Sequence, residues 1–190
     1  MERHWPRPPL NGYTVDHLFT LPDLPRHTDL IDGSLVFAAP QNNFHCTAVD
    51  LLMSGLRSSR PAEVKVSHDM TVILDRRNGP EPDLSVIRAA AVTGLNQMSF
   101  RGRDVLLAVE VVSPDSESRD RTTKPWKYAA AGIPNFWRVE CDGGDGRPVI
   151  HVYELDAMTR AYVHMGVHRD RIKVDKPYPI DIDLTAIDEL

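Results

Sequence analysis

Between Val105 and Val112 every residue is apolar except Glu110. A run of this length and composition reads as a strand buried on both faces, the centre of a sheet covered by helices. A carboxylate inside such a strand is costly to bury without a partner, so Glu110 needs a physical reason. The chain has 190 residues, which fits about one domain at a typical size near ~150 residues. At 42% hydrophobic and 26% charged, it holds enough apolar side chains for a folded core. The expectation is a single domain over 1–190, with a proline-rich arm at 1–11 and an acidic tail at 170–190.

Around the central strand the pattern alternates between helical and extended periods. Thr14 caps a short helix that stops near Pro22. Asp32-Gly33 lies between two apolar runs, the strongest short hairpin signal a sequence offers. Asn42 or Asn43 caps a helix over residues 43–58, where Phe44, Val49, Leu52, Met53 and Leu56 recur at helical spacing. Short extended runs follow at Glu63–Ser67, Met70–Leu74 and Asp83–Ile87, while Ala89–Arg103 carries no clear period and reads as a loop. Ser118 caps a helix over 119–131, or the helix begins later, with Pro125 as its first residue. Gly132 suits its left-handed end. Phe136–Glu140, Val149–Leu155 and Ala161–Val167 read as strands, with a glycine-rich loop at Cys141–Gly146. The tail is expected to cover a sheet edge. The fold class is therefore α/β.

Charge and cysteine usage exclude several functions. The 22 basic and 27 acidic residues leave a net charge of −5, which rules out a globally basic nucleic-acid coat or a membrane-surface polycation. From Arg101 to Arg138 bases outnumber acids, so a local phosphate-binding face is allowed. Cys46 and Cys141 can build neither a disulfide framework nor a four-cysteine zinc site, and they fit a reducing compartment where free thiols are core residues. The first 30 residues hold no signal-peptide pattern, and no apolar run approaches the ~18 residues of a membrane span. The expected location is the cytoplasm, with no membrane partner.

Three features carry chemistry together: Asp83 after Pro82, Glu110 in its strand, and Lys124 with Lys127 on the following helix. Two carboxylates on neighbouring strands can share one Mg²⁺, which takes hard oxygen ligands and keeps several waters. A nearby ammonium can orient a water or offset charge on a phosphoryl oxygen. Phosphodiester hydrolysis needs that set of parts. Each member alone has a plainer meaning, since Pro-Asp often opens a turn and helix lysines are usually solvated. Trp126, Phe136 and Trp137 are expected in the core rather than as base-stacking platforms.

The ordered segments Leu30-Ile31-Asp32-Gly33, Phe44-His45, Pro82-Asp83, Val109-Glu110-Val111-Val112-Ser113-Pro114, Asp120, Lys124, Tyr128 and Gly132-Ile133-Pro134 resemble the Uma-type restriction endonuclease family. That family lies within the PD-(D/E)XK nuclease superfamily, and the likeness spans roughly residues 14 to 165. It implies a restriction-endonuclease-like fold: a mixed, mostly antiparallel central sheet flanked by helices, with additional β-hairpins. It implies Asp83 and Glu110 as metal ligands, with a backbone carbonyl near Val111 completing the coordination. The lysine expected two positions after Glu110 is replaced by Val112, and Lys124 takes its role from the helix. Asp29 stands where the family usually has a glutamate and adds a further carboxyl contact. His45 either supports the site or caps its helix, and Asp120 and Tyr128 are further supporting positions. The function this implies is Mg²⁺-dependent endonuclease cleavage of DNA, with Mn²⁺ as a substitute cation, by a homodimer. The alternative is a non-catalytic nuclease-fold module that binds DNA or a protein partner.

Overall fold

The computed structural model describes residues 7–144 and 146–190. The first six residues of the proline-rich arm and Asp145 of the glycine-rich loop lie outside the described residues. Helix α1 (Val15–Thr20) starts at Thr14, whose N–H donates to His17 Nδ1 at 2.9 Å. Strands β1 (Thr28–Ile31) and β2 (Ser34–Phe37) pair antiparallel across Asp32-Gly33. Both turn residues have positive φ, 51° and 80°, as a two-residue hairpin turn of this hand requires. In α2 (Asn43–Ser58) the cap is Asn42, whose side-chain oxygen accepts the His45 N–H at 2.9 Å.

Strands β3 (Val64–His68), β4 (Thr71–Ile73), β5 (Leu84–Arg88), β6 (Ser99–Arg101) and β7 (Val105–Val111) follow. The stretch expected as a loop contains β6, which pairs parallel with β4 between two short 3₁₀ turns. Three-residue strands are too short to show a period. Helix α3 (Lys124–Ala130) is entered through a π-helical turn at Arg119–Thr123, where the Lys124 N–H bonds to the Arg119 carbonyl. Ser118 has helical backbone angles and makes no side-chain cap, contrary to expectation. The entry turn is tied instead by Ser113 and Ser116, with the Ser113 N–H donating to Ser116 Oγ at 3.0 Å. Pro125 falls in the first turn of α3, where a missing N–H costs least.

The chain ends with β8 (Asn135–Cys141), β9 (Pro148–Leu155), β10 (Tyr162–His168), β11 (Arg171–Val174) and β12 (Ile180–Asp183). The central sheet has the order β10-β9-β8-β7-β5-β3, with β7 and β8 parallel and every other pair antiparallel. This is the mixed, mostly antiparallel sheet expected from the sequence. Alternation along β7 divides the core. Leu107, Val109 and Val111 pack towards Leu52 and Leu56 of α2, while Ala108 packs with Tyr128 of α3. Glu110 shares the parity of Ala108 and so faces α3.

The acidic tail does not cover a sheet edge. Its hairpin β11–β12 packs Ile172, Ile180 and Ile182 into the α2 side of the core, with Asp181 and Asp183 outward. Gly55 makes this docking possible, because a Cβ there would lie 2.5 Å from Ile182 Cδ1. Overall acid count hid a two-residue alternation. Both cysteines are exposed rather than core residues. Phe136 and Trp137 are buried as expected, whereas Trp126 is 70% exposed on the outer face of α3. Among the described residues, no helix is long and apolar enough to cross a membrane.

Candidate active site

The site forms where β5 and β7 part. Leu84 is the first residue of β5 and pairs with Val109. Pro82, two positions earlier, has no N–H with which to extend the ladder. Carrying the register one pair further sets Asp83 opposite Glu110, the arrangement that brings two side chains together on one face. The Asp83 carboxylate takes over from the missing strand, with Oδ2 accepting the Val111 N–H at 2.6 Å. Its Oδ1 lies 3.0 Å from His45 Nε2 on α2. His45 therefore meets the site through its ring, while only its backbone N–H takes part in the helix cap.

From the other side, α3 and its π-turn present Asp120, Lys124 and Tyr128 at four-residue intervals, on one helical face above β7. Lys124 Nζ donates to Glu110 Oε2 at 2.9 Å, and the Tyr128 hydroxyl donates to Glu110 Oε1 at 2.5 Å. The same ammonium lies 3.3 Å from Asp29 Oδ2 and 3.4 Å from Asp120 Oδ1. Asp29 is fixed in turn by the Glu81 N–H, 2.6 Å from its Oδ1. Asp29, His45, Asp83, Glu110, Val111, Asp120 and Lys124 all line one cleft of about 320 Å³, and Tyr128 is buried behind Glu110. Lys127 is directed elsewhere. It is buried and bonds Asp32 Oδ1 at 2.6 Å, rather than lying solvated on the helix surface.

Carboxylates outnumber cations in this cleft, and the protonation equilibria follow. Burial works against the charge on Lys124, but Glu110, Asp29, Asp120 and Asp83 outweigh it and hold the ammonium well above its usual range. Lys124 therefore stays charged. Burial pushes the Glu110 carboxyl up, opposed by Lys124 and reinforced by Asp120, Asp83 and Asp29. Burial raises Asp120 in the same way. His45 is pulled up by Asp83 despite its burial. Burial, and more negative charge than one lysine can offset, shift the Glu110 and Asp120 carboxyls upward.

Such a donor set suits a hard divalent cation, since oxygen ligands and surplus negative charge are what Mg²⁺ selects. Asp120 Oδ1 is also buried without a hydrogen bond, with the Lys124 ammonium 3.4 Å away. Both Glu110 oxygens are engaged by Lys124 and Tyr128, so cation binding there competes with these contacts. Among the described residues, no three His, Cys, Asp or Glu side chains stand already gathered at metal-ligand spacing.

A family model described as Uma2, putative restriction endonuclease, matches residues 15–186. The chain belongs to the Uma2 family. Among solved structures it is similar to one titled a putative nuclease belonging to DUF820 from Anabaena variabilis ATCC 29413, with a TM-score of 0.60. The two share 15% sequence identity, over 94% of this chain and 93% of that one. At that identity the likeness shows the fold. No curated protein matches the chain.

The Uma2 cleft also holds residues that sequence reasoning passed over, notably Glu81 and Arg119. Glu81 had a signal: it stands two residues before Asp83 in a proline-flanked extended stretch, where alternate residues share a side. Burial pushes the Glu81 carboxyl up to about 7, partly relieved by the Thr71 hydroxyl 3.1 Å from its Oε1. A raised carboxyl pKa means that the folded state holds the proton more tightly. The resulting stability is complete below the ordinary value of 4.5 and is lost as pH rises through about 7. Without added cation, the wild type is expected to lose up to about 3 kcal/mol across this window relative to Glu81→Gln. Denaturant midpoints against pH check this, and a constant difference between the two proteins would contradict it.

Proposed function

We propose that the protein is a metal-dependent endonuclease that hydrolyses phosphodiester bonds in DNA, using Mg²⁺ or, in its place, Mn²⁺. The observation that carries this reading is the meeting of Asp83 and Glu110 at the parting of β5 and β7, with Lys124 Nζ 2.9 Å from Glu110. Asp83, Glu110 and the Val111 carbonyl would hold the cation. Bound there, it supplies Lewis-acid stabilisation of the charge that builds on the phosphoryl oxygens. The remaining work falls to the chain itself. Lys124 orients the attacking water and adds positive charge close to the reacting phosphate. Asp29 and Asp120 keep that ammonium charged and in place. Tyr128 fixes the Glu110 carboxylate, and His45 with the Val111 N–H fixes Asp83.

The reading extends to a homodimer acting in the cytoplasm, on family resemblance and cysteine usage, and sedimentation velocity tests the dimer. A second reading, a non-catalytic module that binds DNA or a protein, is favoured by the engagement of both Glu110 oxygens. Cleavage separates the two. Supercoiled plasmid and single-stranded DNA, incubated with wild type across Mg²⁺ and Mn²⁺, are expected to be cut, and Glu110→Gln is expected to leave them intact. DNA left whole by the wild type with either cation would favour the module.

A further inference from the structure

We propose that Arg119 holds a backbone phosphate of the DNA at the mouth of this cleft, a role that rests on the nucleic-acid reading above but not on catalysis. The cleft wall is rich in carboxylate, so a phosphodiester entering it needs positive charge that is not already spent. Lys124 is shared among Glu110, Asp29 and Asp120. His45 is held by Asp83, and the rim histidines His27 and His68 face Asp69. Arg119 has one carboxylate partner and donors to spare. Its Nη2 donates to Asp115 Oδ2 at 2.8 Å, which tethers the side chain. Its Nε is shielded from solvent without a hydrogen-bond partner, and Nη1 has none among the described residues.

A guanidinium keeps its charge and offers five N–H donors in a fixed plane, the geometry that phosphate oxygens accept. Nε is enclosed, so a phosphate would meet the Nη1 and Nη2 edge of the fork, where Nη1 has no competing partner among the described residues. Backbone position supports the assignment. Arg119 opens the π-turn whose next residue, Asp120, faces Lys124, and π-turns within helices are frequently found at functional sites. Arg119 is thus anchored beside the reacting groups by a single surface carboxylate. The tether through Asp115 is exposed at the surface and competes with a phosphate for the guanidinium.

The test is binding of a short labelled duplex by fluorescence anisotropy, without added divalent cation so that nothing is cut, across a range of salt. Arg119→Gln is expected to weaken binding roughly 10-fold. It should flatten the slope of log affinity against log salt by about 0.9, the value for one lost phosphate contact. Arg119→Lys should restore the slope while regaining only part of the affinity. Asp115→Asn should tighten binding in the wild type and change nothing in Arg119→Gln, a comparison that stands even if the glutamine variant melts early. A wild-type slope in Arg119→Gln, an unchanged affinity in Asp115→Asn, or a wild type that binds no DNA would each overturn the proposal. Cleavage is scored separately. Arg119-dependent binding without cleavage removes the endonuclease reading and keeps this site, whereas cleavage with Arg119-independent binding does the reverse.

Discussion

Lys124→Ala is expected to slow DNA cleavage by roughly 10²–10³-fold, the scale of losing one preorganised charged donor at the reacting centre. Cation affinity should be unchanged or slightly stronger, because a competing positive charge has left the Glu110 carboxylate. Stability should fall as well. Lys124 is buried among Glu110, Asp29 and Asp120, and removing one side of such a cluster costs about 3–5 kcal/mol while the carboxylates stay charged. Burial raises the Glu110 carboxyl above its usual range, so the loss should be smaller in acid and grow as pH rises. Lys127→Ala is the control. It removes the contacts with Asp32 Oδ1 and the Trp126 ring, neither of which lines the cleft, so cleavage should change little. A silent Lys127→Ala beside an active Lys124→Ala would place the functional lysine three residues further on.

Asp83→Ala is expected to abolish both cleavage and the rise in melting temperature that Mg²⁺ or Mn²⁺ gives by binding the folded state. The same change strips the Val111 N–H of its acceptor and His45 Nε2 of its partner, which costs about 1–3 kcal/mol for each buried group left unsatisfied. Asp83→Asn separates these effects. An amide oxygen can still accept the Val111 N–H, so much of the stability should return while cleavage does not. Cleavage by Asp83→Asn at the wild-type rate would remove Asp83 from the ligand set.

Much of this site was legible because its parts are local anomalies. A carboxylate in an otherwise apolar strand stands out whatever the fold, and Asp32-Gly33 specifies its turn by backbone sterics alone. The convergence of Asp83 on Glu110 was not legible from composition, since it depends on the register of β5 against β7. Lys124 could be named only through resemblance. Nothing in helical periodicity distinguishes it from Lys127, and the difference is made by β7 beneath one and the β1–β2 turn beside the other. Glu81 and Arg119 escaped for a related reason. Their importance lies in burial and unspent hydrogen bonds, which appear only when distant segments close around them. The tail misled through its acid count, because Ile172, Ile180 and Ile182 alternate with charges and only the buried half of that pattern decides where it packs.

The central claim is that Asp83 and Glu110 share one divalent cation, and calorimetric titration of Mn²⁺ tests it most directly. The wild type is expected to bind, more tightly as pH rises, since the Glu110 carboxyl is raised by burial and must be ionised to act as a ligand. Asp83→Ala and Glu110→Gln should each lose that binding, while Lys127→Ala should bind like the wild type. Wild-type affinity retained in both carboxylate variants, or no binding by the wild type at millimolar Mn²⁺, would contradict the account.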